Sequence, residues 1–283
     1  RGQILVLTYP LVVNYGVSMN FVIARSEATK QSQLDILNSP LESERIQVSG
    51  LIVSEYCKEY SHPSAIQSLG EWLKSEDVPA IEGINTRALT QKLREKGTML
   101  GRIEELRSKN YELKIKKETF DDPNKRNLVA EVSCTEPVIY EPTLQTTTYN
   151  LPTILLYDCG VKLNIIRCLL RRNCRIIRVP WNYPFSTNYK LQTTNYSIDG
   201  VVISNGPGDP TKCDKTIEQI KFLILNSKFV IPILGICLGN QLLALAAGAK
   251  TYKLKYGHRG QNQPVLDERQ NRAYITTQNH GYA

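Results

Sequence analysis

In residues 231–248, IPILGICLGNQLLALAAG, an apolar run breaks at Gly235-Ile236-Cys237-Leu238-Gly239 and resumes as a small-residue helical stretch. A reactive residue between two glycines, where a strand feeds straight into a helix, has the layout of a nucleophile elbow, here with cysteine in place of serine. At the first turn of a helix the sulfur meets the positive end of the peptide dipoles, which favours the thiolate, the species that attacks. The next backbone N–H, that of Leu238, would face an oxyanion. The same cysteine also reads as one more small buried hydrophobe, the usual place of cysteine in an apolar stretch. Spacing alone does not separate the two readings.

A second feature is Asn205-Gly206-Pro207-Gly208-Asp209-Pro210, which follows the apolar run GVVIS at 200–204. It is not a GxGxxG fingerprint. Two glycines around a proline make a rigid turn whose bare N–H groups can approach a ligand, and Gly208 is a candidate second oxyanion donor. An ordinary tight connection would look the same. Cysteine catalysis also needs a base. The candidates are His280, in Gln278-Asn279-His280-Gly281, and His258, in Tyr256-Gly257-His258-Arg259-Gly260, and each reads equally as a polar turn residue.

The elements around these motifs alternate. Strands are predicted at 153–157, 175–179, 200–204 and 230–236, with helices at 161–171 and 215–225 between them. That rhythm implies a parallel, doubly wound sheet, whose ligands bind beyond the carboxyl ends of the strands, where Cys237 and the 205–210 loop both fall. In the first half, strands are predicted at 3–10, 48–53, 78–81 and 98–103. Helices are predicted at 64–73 and at 87–96, the latter capped by Asn85-Thr86 and followed by Gly97. Residues 17–47 read as surface, 107–126 as charged loop or short helix, and 127–132 as a strand. Residues 135–150, with two prolines, four threonines and no helical period, read as the interdomain linker.

The 283 residues exceed one typical domain. The net charge of +8 is spread, and its densest spots, Lys114, Lys116 and Lys117 and then Arg171 and Arg172, lack interleaved aromatics, so no nucleic-acid partner is expected. Seven cysteines without a CxxC indicate neither a zinc site nor a disulfide framework, and three histidines without ligand spacing make metal catalysis unexpected. Reduced thiols point to the cytoplasm. The apolar run 229–249 is interrupted by Pro232, glycines and Asn240-Gln241, which argues for strand, turn and helix and against a membrane span. The chain starts at Arg1 and stops directly after QNHGYA, which suggests a fragment at both ends.

Taken together, GICLGNQLLALAAGAKTYKLKYGHRGQNQPV, SNGPGDP, QNHGYA, VPWN, DCGVKLN, INTRALTQKLREKGTMLGRI and QILVLTYP followed by NYG resemble the glutaminase (small) subunit of carbamoyl-phosphate synthase, in order and through nearly the whole chain. The likeness is strongest to the form at the front of the eukaryotic multifunctional pyrimidine-synthesis protein. GICLGxQ alone would indicate a class I glutamine amidotransferase, such as those of anthranilate or guanylate synthesis; the INTRALT and RGQNQPV stretches narrow it. The resemblance implies an α/β chain with an N-terminal small-subunit domain (1–134), the linker (135–150) and a C-terminal flavodoxin-like, doubly wound class I amidotransferase domain (151–283). It implies hydrolysis of the glutamine side-chain amide through a glutamyl thioester on Cys237, with Leu238 and Gly208 as oxyanion donors. Gly206, Gly208, Leu238, Gln241, Asn279, Gly281 and Tyr282 match glutamine-binding positions. The implied partner is a synthetase subunit or fused ATP-grasp domains of pyrimidine or arginine synthesis. ATP and Mg would be used there, and no cofactor or metal is expected in this chain.

Three departures accompany the resemblance. The family's catalytic His and Glu lie in a His-Pro-Glu segment downstream of QNHG, so His280 is not the matching base and the 283 residues alone are expected to turn glutamine over poorly. A glutamine-contacting serine precedes the first strand in the family. The helix opens Gly239-Asn240-Gln241 where the family has Gly-His-Gln, as in ammonia-dependent urea-cycle relatives. The retained Cys237 favours a glutaminase; the alternative is a non-catalytic amidotransferase-like domain that scaffolds or regulates a synthetase. Residues 17–47 also differ from the acidic segment expected there, as an insertion would.

Overall fold

The computed structural model describes residues 2–9, 11–12, 14–18, 46–104, 120, 122–142, 151–185, 196–226 and 231–283. The expectations for 19–45, for most of 107–126, for 143–150 and for the first residue of the 230–236 strand lie outside them. Two compact units form, and for the described residues they divide between Pro123 and Asn124, upstream of the expected boundary at 134.

The first unit runs β1 (Ile4–Val6), β2 (Leu11–Val12), β3 (Val17–Ser18), β4 (Gly50–Ile52), β5 (Glu55–Tyr56), β6 (Ala65–Gln67), α1 (Leu69–Ser75), β7 (Ala80–Ile81) and α2 (Thr86–Lys96). A parallel sheet in the order β1-β4-β7 is flanked by the small pairs β2-β5 and β3-β6. Val12, Leu51, Val53 and Leu73 form its core. The helix expected from residue 64 starts later. Ser68 and Glu71 form a capping box that fixes its first turn, while Ala65–Gln67 pairs antiparallel with β3. The strand expected at 98–103 is irregular, with Met99 and Leu100 exposed. In α2 the Asn85 cap and Gly97 end stand as expected, but Ala88 is exposed and Thr86 is the buried residue.

The second unit runs α3 (Leu128–Val132), β8 (Val138–Tyr140), β9 (Thr153–Asp158), α4 (Leu163–Leu170), β10 (Arg175–Pro180), β11 (Gly200–Ile203), α5 (Asp214–Leu225), β12 (Ile233–Gly235), α6 (Leu238–Ala246), β13 (Lys253–Asp267) and β14 (Arg272–Tyr282). Its main sheet has the order β12-β11-β9-β10-β8. β9 to β12 are parallel and β8 joins β10 antiparallel at the edge. The order turns back between β9 and β11, as in flavodoxin-like sheets, and this switch point is where such sheets take ligands. β9, β10 and β11 are near-continuous apolar runs because helices cover both faces. Leu155, Tyr157, Ile177, Val179, Val201, Ile203, Ile220, Leu223, Leu238 and Leu242 pack as one core.

Two local expectations change here. Residues 127–132 are not a strand: Asn127 accepts from the Ala130 N–H and caps α3, which buries Leu128 and Val129. Within 135–150, Val138–Tyr140 is a sheet strand with Tyr140 buried. After α6 the chain forms the antiparallel ribbon β13-β14. Among the described residues, no helix is long and apolar enough to cross a membrane.

Candidate active site

β12 ends at Gly235 and α6 begins at Leu238, leaving Ile236-Cys237 as the turn. Cys237 sits at φ 54°, ψ −106°, a conformation that costs a non-glycine residue of order 1–3 kcal/mol and is characteristic of functional turns. Its thiol is exposed, alone among the seven cysteines, all of which are free. The core-cysteine reading therefore fails. The other thiols mark the contrast: burial pushes Cys159 well up, and burial with the nearby Asp209 and Asp214 pushes Cys213 to about 12. Burial, with the Asp158 charge, also raises Cys134 to about 12.

The elbow is pressed against the sheet through bare backbone. A Cβ on Gly239 would overlap the Ile203 carbonyl oxygen, and one on Gly206 would overlap the Cys159 carbonyl oxygen and crowd the Leu238 side chain at 2.6 Å. The close approach lets the Gly239 N–H donate to Ser204 O at 3.1 Å and the Ile236 N–H to Ile203 O at 3.0 Å. Leu238 and Gly208 each carry an N–H that makes no hydrogen bond within the described residues. Gly208, at φ 86°, lies over Leu128 of α3.

Behind the 205–210 loop, the buried Asp158 carboxylate holds several strand ends together. It accepts from the N–H groups of Cys134 (2.8 Å), Gly160 (2.9 Å) and Val161 (2.8 Å), and from Arg178 Nε (2.8 Å) and Nη2 (2.5 Å). Burial opposes the Arg178 charge, but Asp158 and the hydrogen bonds from Arg178 to it and to Tyr140 outweigh burial and hold the guanidinium pKa above its ordinary value. Ser204 Oγ accepts from the Cys159 N–H and donates to Asn205 O, while Asn205 Oδ1 accepts from the Lys162 N–H. The sequence reading did not single out Asp158, Arg178 or Ser204. An Asp followed two residues later by Gly is a turn signal that marks Asp158.

β14 delivers the remaining residues. Cys237 Sγ donates to Asn279 O at 3.7 Å, and Gln241 Nε2 donates to Tyr282 O at 2.6 Å, so α6 touches the ribbon at both positions. His258 and His280 face each other across the ladder, with ring centroids 5.0 Å apart. Their hydrogen bonds go to Gln278 Oε1 and, from His280, to Tyr282 O. Neither imidazole is bonded to the thiol. The structure thus gathers Cys237, Leu238, Gly206, Gln241, Asn279 and Tyr282 through direct contacts, with Gly208 next along the 205–210 loop and Gly281 between His280 and Tyr282 in β14. Among the described residues, no group of three or more His, Cys, Asp or Glu could hold a metal ion.

Residues 155–283 match the family model "Glutamine amidotransferase class-I", and residues 1–103 match "Carbamoyl-phosphate synthase small chain, CPSase domain". The chain belongs to the carbamoyl-phosphate synthase small-chain family. It is 45% identical over 283 residues to the "Carbamoyl phosphate synthase arginine-specific small chain" of Neurospora crassa, covering all of this chain and 57% of that one. It is 44% identical over 282 residues to "Multifunctional protein CAD" of Squalus acanthias, covering all of this chain and 11% of that protein. The chain therefore spans little more than half of a small-chain relative and about a tenth of a multifunctional one. Among solved structures, a glutamine amidotransferase from Thermotoga maritima aligns at 21% identity and TM-score 0.34, over 48% of this chain and 63% of that one.

Asn240, where this small chain departs from Gly-His-Gln, is exposed, and its N–H donates to Cys237 O at 3.0 Å. Any residue except proline supplies that backbone bond. Nothing in the described contacts makes the elbow depend on the Asn240 side chain.

Proposed function

We propose that the chain is the glutaminase part of a glutamine-dependent carbamoyl-phosphate synthase of pyrimidine or arginine synthesis. The observation that carries this reading is the exposed Cys237 thiol at a strained elbow, followed directly by the Leu238 N–H, which, like that of Gly208 in the 205–210 loop, has no acceptor among the described residues. The Cys237 sulfur attacks the side-chain amide carbon of glutamine, and the carbonyl oxygen takes up the charge opposite the Leu238 and Gly208 N–H groups. The C–N bond then breaks, the thiol proton ends on the departing nitrogen, and ammonia leaves a glutamyl thioester. Water cleaves the thioester to glutamate and regenerates the thiol. The ammonia goes to a synthetase subunit or to fused ATP-grasp domains, and ATP and Mg act there.

The test is labelling with the chloromethyl-ketone analogue of L-glutamine, in which the sulfur displaces chloride. Saturable modification of Cys237, slowed by glutamine and absent in Cys237→Ser, is expected, together with Cys237-dependent release of glutamate. Non-saturable labelling that glutamine does not slow would overturn the glutaminase reading and leave a domain that scaffolds or regulates a synthetase.

A further inference from the structure

The residues assembled at the elbow, Cys237, Leu238, Gly206, Gly208, Gln241, Asn279, Gly281 and Tyr282, are all of types without formal charge at neutral pH. They suit an amide. An amino-acid substrate also carries an α-carboxylate, and taking a carboxylate out of water is costly unless a charged donor meets it. We propose that Arg259 is that donor and that it sets the specificity of the site for a free α-carboxylate. The proposal rests on the glutaminase reading above.

The ribbon register places it. Arg259 pairs with Asn279, flanked by His258 with His280 and Gly260 with Gln278. Residues directly opposite in an antiparallel ladder project from one face, and residues two apart in a strand share that face. Arg259, Asn279 and Gly281 therefore lie on one face of the ribbon. His258, His280 and Gln278 lie on the other, where their side chains bond to each other. The two faces have different work: one closes on itself, and the other, with Arg259 and Asn279 both exposed, carries two of the glutamine-matching positions.

The guanidinium is already oriented. Arg259 Nη1 donates to Tyr256 O, which turns the side chain back along β13. A Cβ on Gly281 would lie 3.6 Å from Nη2, so the bare Gly281 backbone leaves the second amino group uncovered on that side. At Gly257, φ 70°, a Cβ would stand 2.6 Å from Nη1 and 2.5 Å from His280 O, so a side chain there would push the guanidinium out of place. No Asp or Glu among the described residues pairs with Arg259. The Asn279 carbonyl touches the Cys237 sulfur, and Asn279 is the direct partner of Arg259 across the ladder, so Arg259 belongs to the stretch of ribbon that meets the nucleophile.

The experiment compares Cys237 labelling by the chloromethyl-ketone analogue of L-glutamine with labelling by its α-carboxamide, which lacks the negative charge. Iodoacetamide serves as a probe of intrinsic thiol reactivity. Arg259→Gln is expected to lower the second-order rate for the carboxylate analogue about 10- to 100-fold, the range for one charge-assisted hydrogen-bonded pair. The carboxamide and iodoacetamide rates should hold, Arg259→Lys should fall between, and Arg272→Gln, the same charge change at the far end of the ribbon, should behave as wild type. An Arg259→Gln protein that keeps the full preference for the carboxylate, or that loses all three rates equally, would overturn the assignment while the glutaminase reading stands. If the unsubstituted protein shows no saturable labelling, the glutaminase reading fails and the role of Arg259 falls with it.

Discussion

The carboxyl ends of β9 to β12 and the β13-β14 ribbon both bring residues to Cys237, and they are held by different means. At the sheet, backbone meets backbone. Gly206 lies against the Cys159 carbonyl, Gly239 against the Ile203 carbonyl, and the fully buried Ser204 and Asp158 satisfy the intervening polar groups. In the ribbon, Arg259 and Asn279 are exposed, and α6 reaches β14 through one sulfur contact and one amide hydrogen bond. Elements with few buried apolar contacts open at low free energy, whereas core strands open only with the whole fold. The nucleophile and its oxyanion donors therefore sit on the rigid part. The groups that would grip the amino-acid end sit on the part that can yield.

The sharpest way to break this comparison is Gly239→Ala. A methyl there meets the Ile203 carbonyl oxygen, and because that oxygen belongs to a central strand, α6 must retreat. A loss of about 3 kcal/mol or more is expected, at the upper end for overpacking, read from urea unfolding. The retreat also removes the Gly239 to Ser204 hydrogen bond. A variant with wild-type stability would show that the elbow is not sterically seated.

How much of this could be read beforehand follows the same division. The doubly wound half was legible because strands buried on both faces are continuous apolar runs, and the elbow was legible because only glycine tolerates such close approach. Short elements were not. Residues 128–132, LVAEV, are too few for a helical period to show, and the informative residue was the Asn127 cap. Val138–Tyr140 hid among prolines and threonines that resemble a linker. The ribbon shows no alternation of apolar and polar residues, because Tyr252, Val265, Leu266 and Ile275 are exposed along it and neither face is a core. Asp158 and Arg178 lie twenty residues apart on neighbouring strands, and only register reveals them as partners.

Arg178→Met tests the sheet end by charge instead of volume. It leaves the Asp158 carboxylate buried with three N–H donors and no cation, and removing one member of a buried pair costs about 3–5 kcal/mol, less where other donors remain. Asp158→Asn with Arg178→Met should lose less than the sum of the single variants, which a double-mutant cycle measures directly. Additive losses would mean that the two side chains act separately and that the strand ends are fixed by packing alone.

The smallest expected effect belongs to the ribbon. Gln241→Leu removes the donor to Tyr282 O while keeping the size of a half-buried side chain. One neutral hydrogen bond contributes about 1 kcal/mol net, and because it joins α6 to β14 the loss should appear as easier opening of the ribbon. Hydrogen exchange at amides 277–282 should quicken about fivefold, while amides of β9 and β11 keep their rates. The urea midpoint should barely move, since the sheet core that sets global stability makes no use of this bond. Faster exchange in β9 and β11 as well would mean that ribbon and sheet open as one unit, and the substrate-gripping face would then be as rigid as the nucleophile it serves.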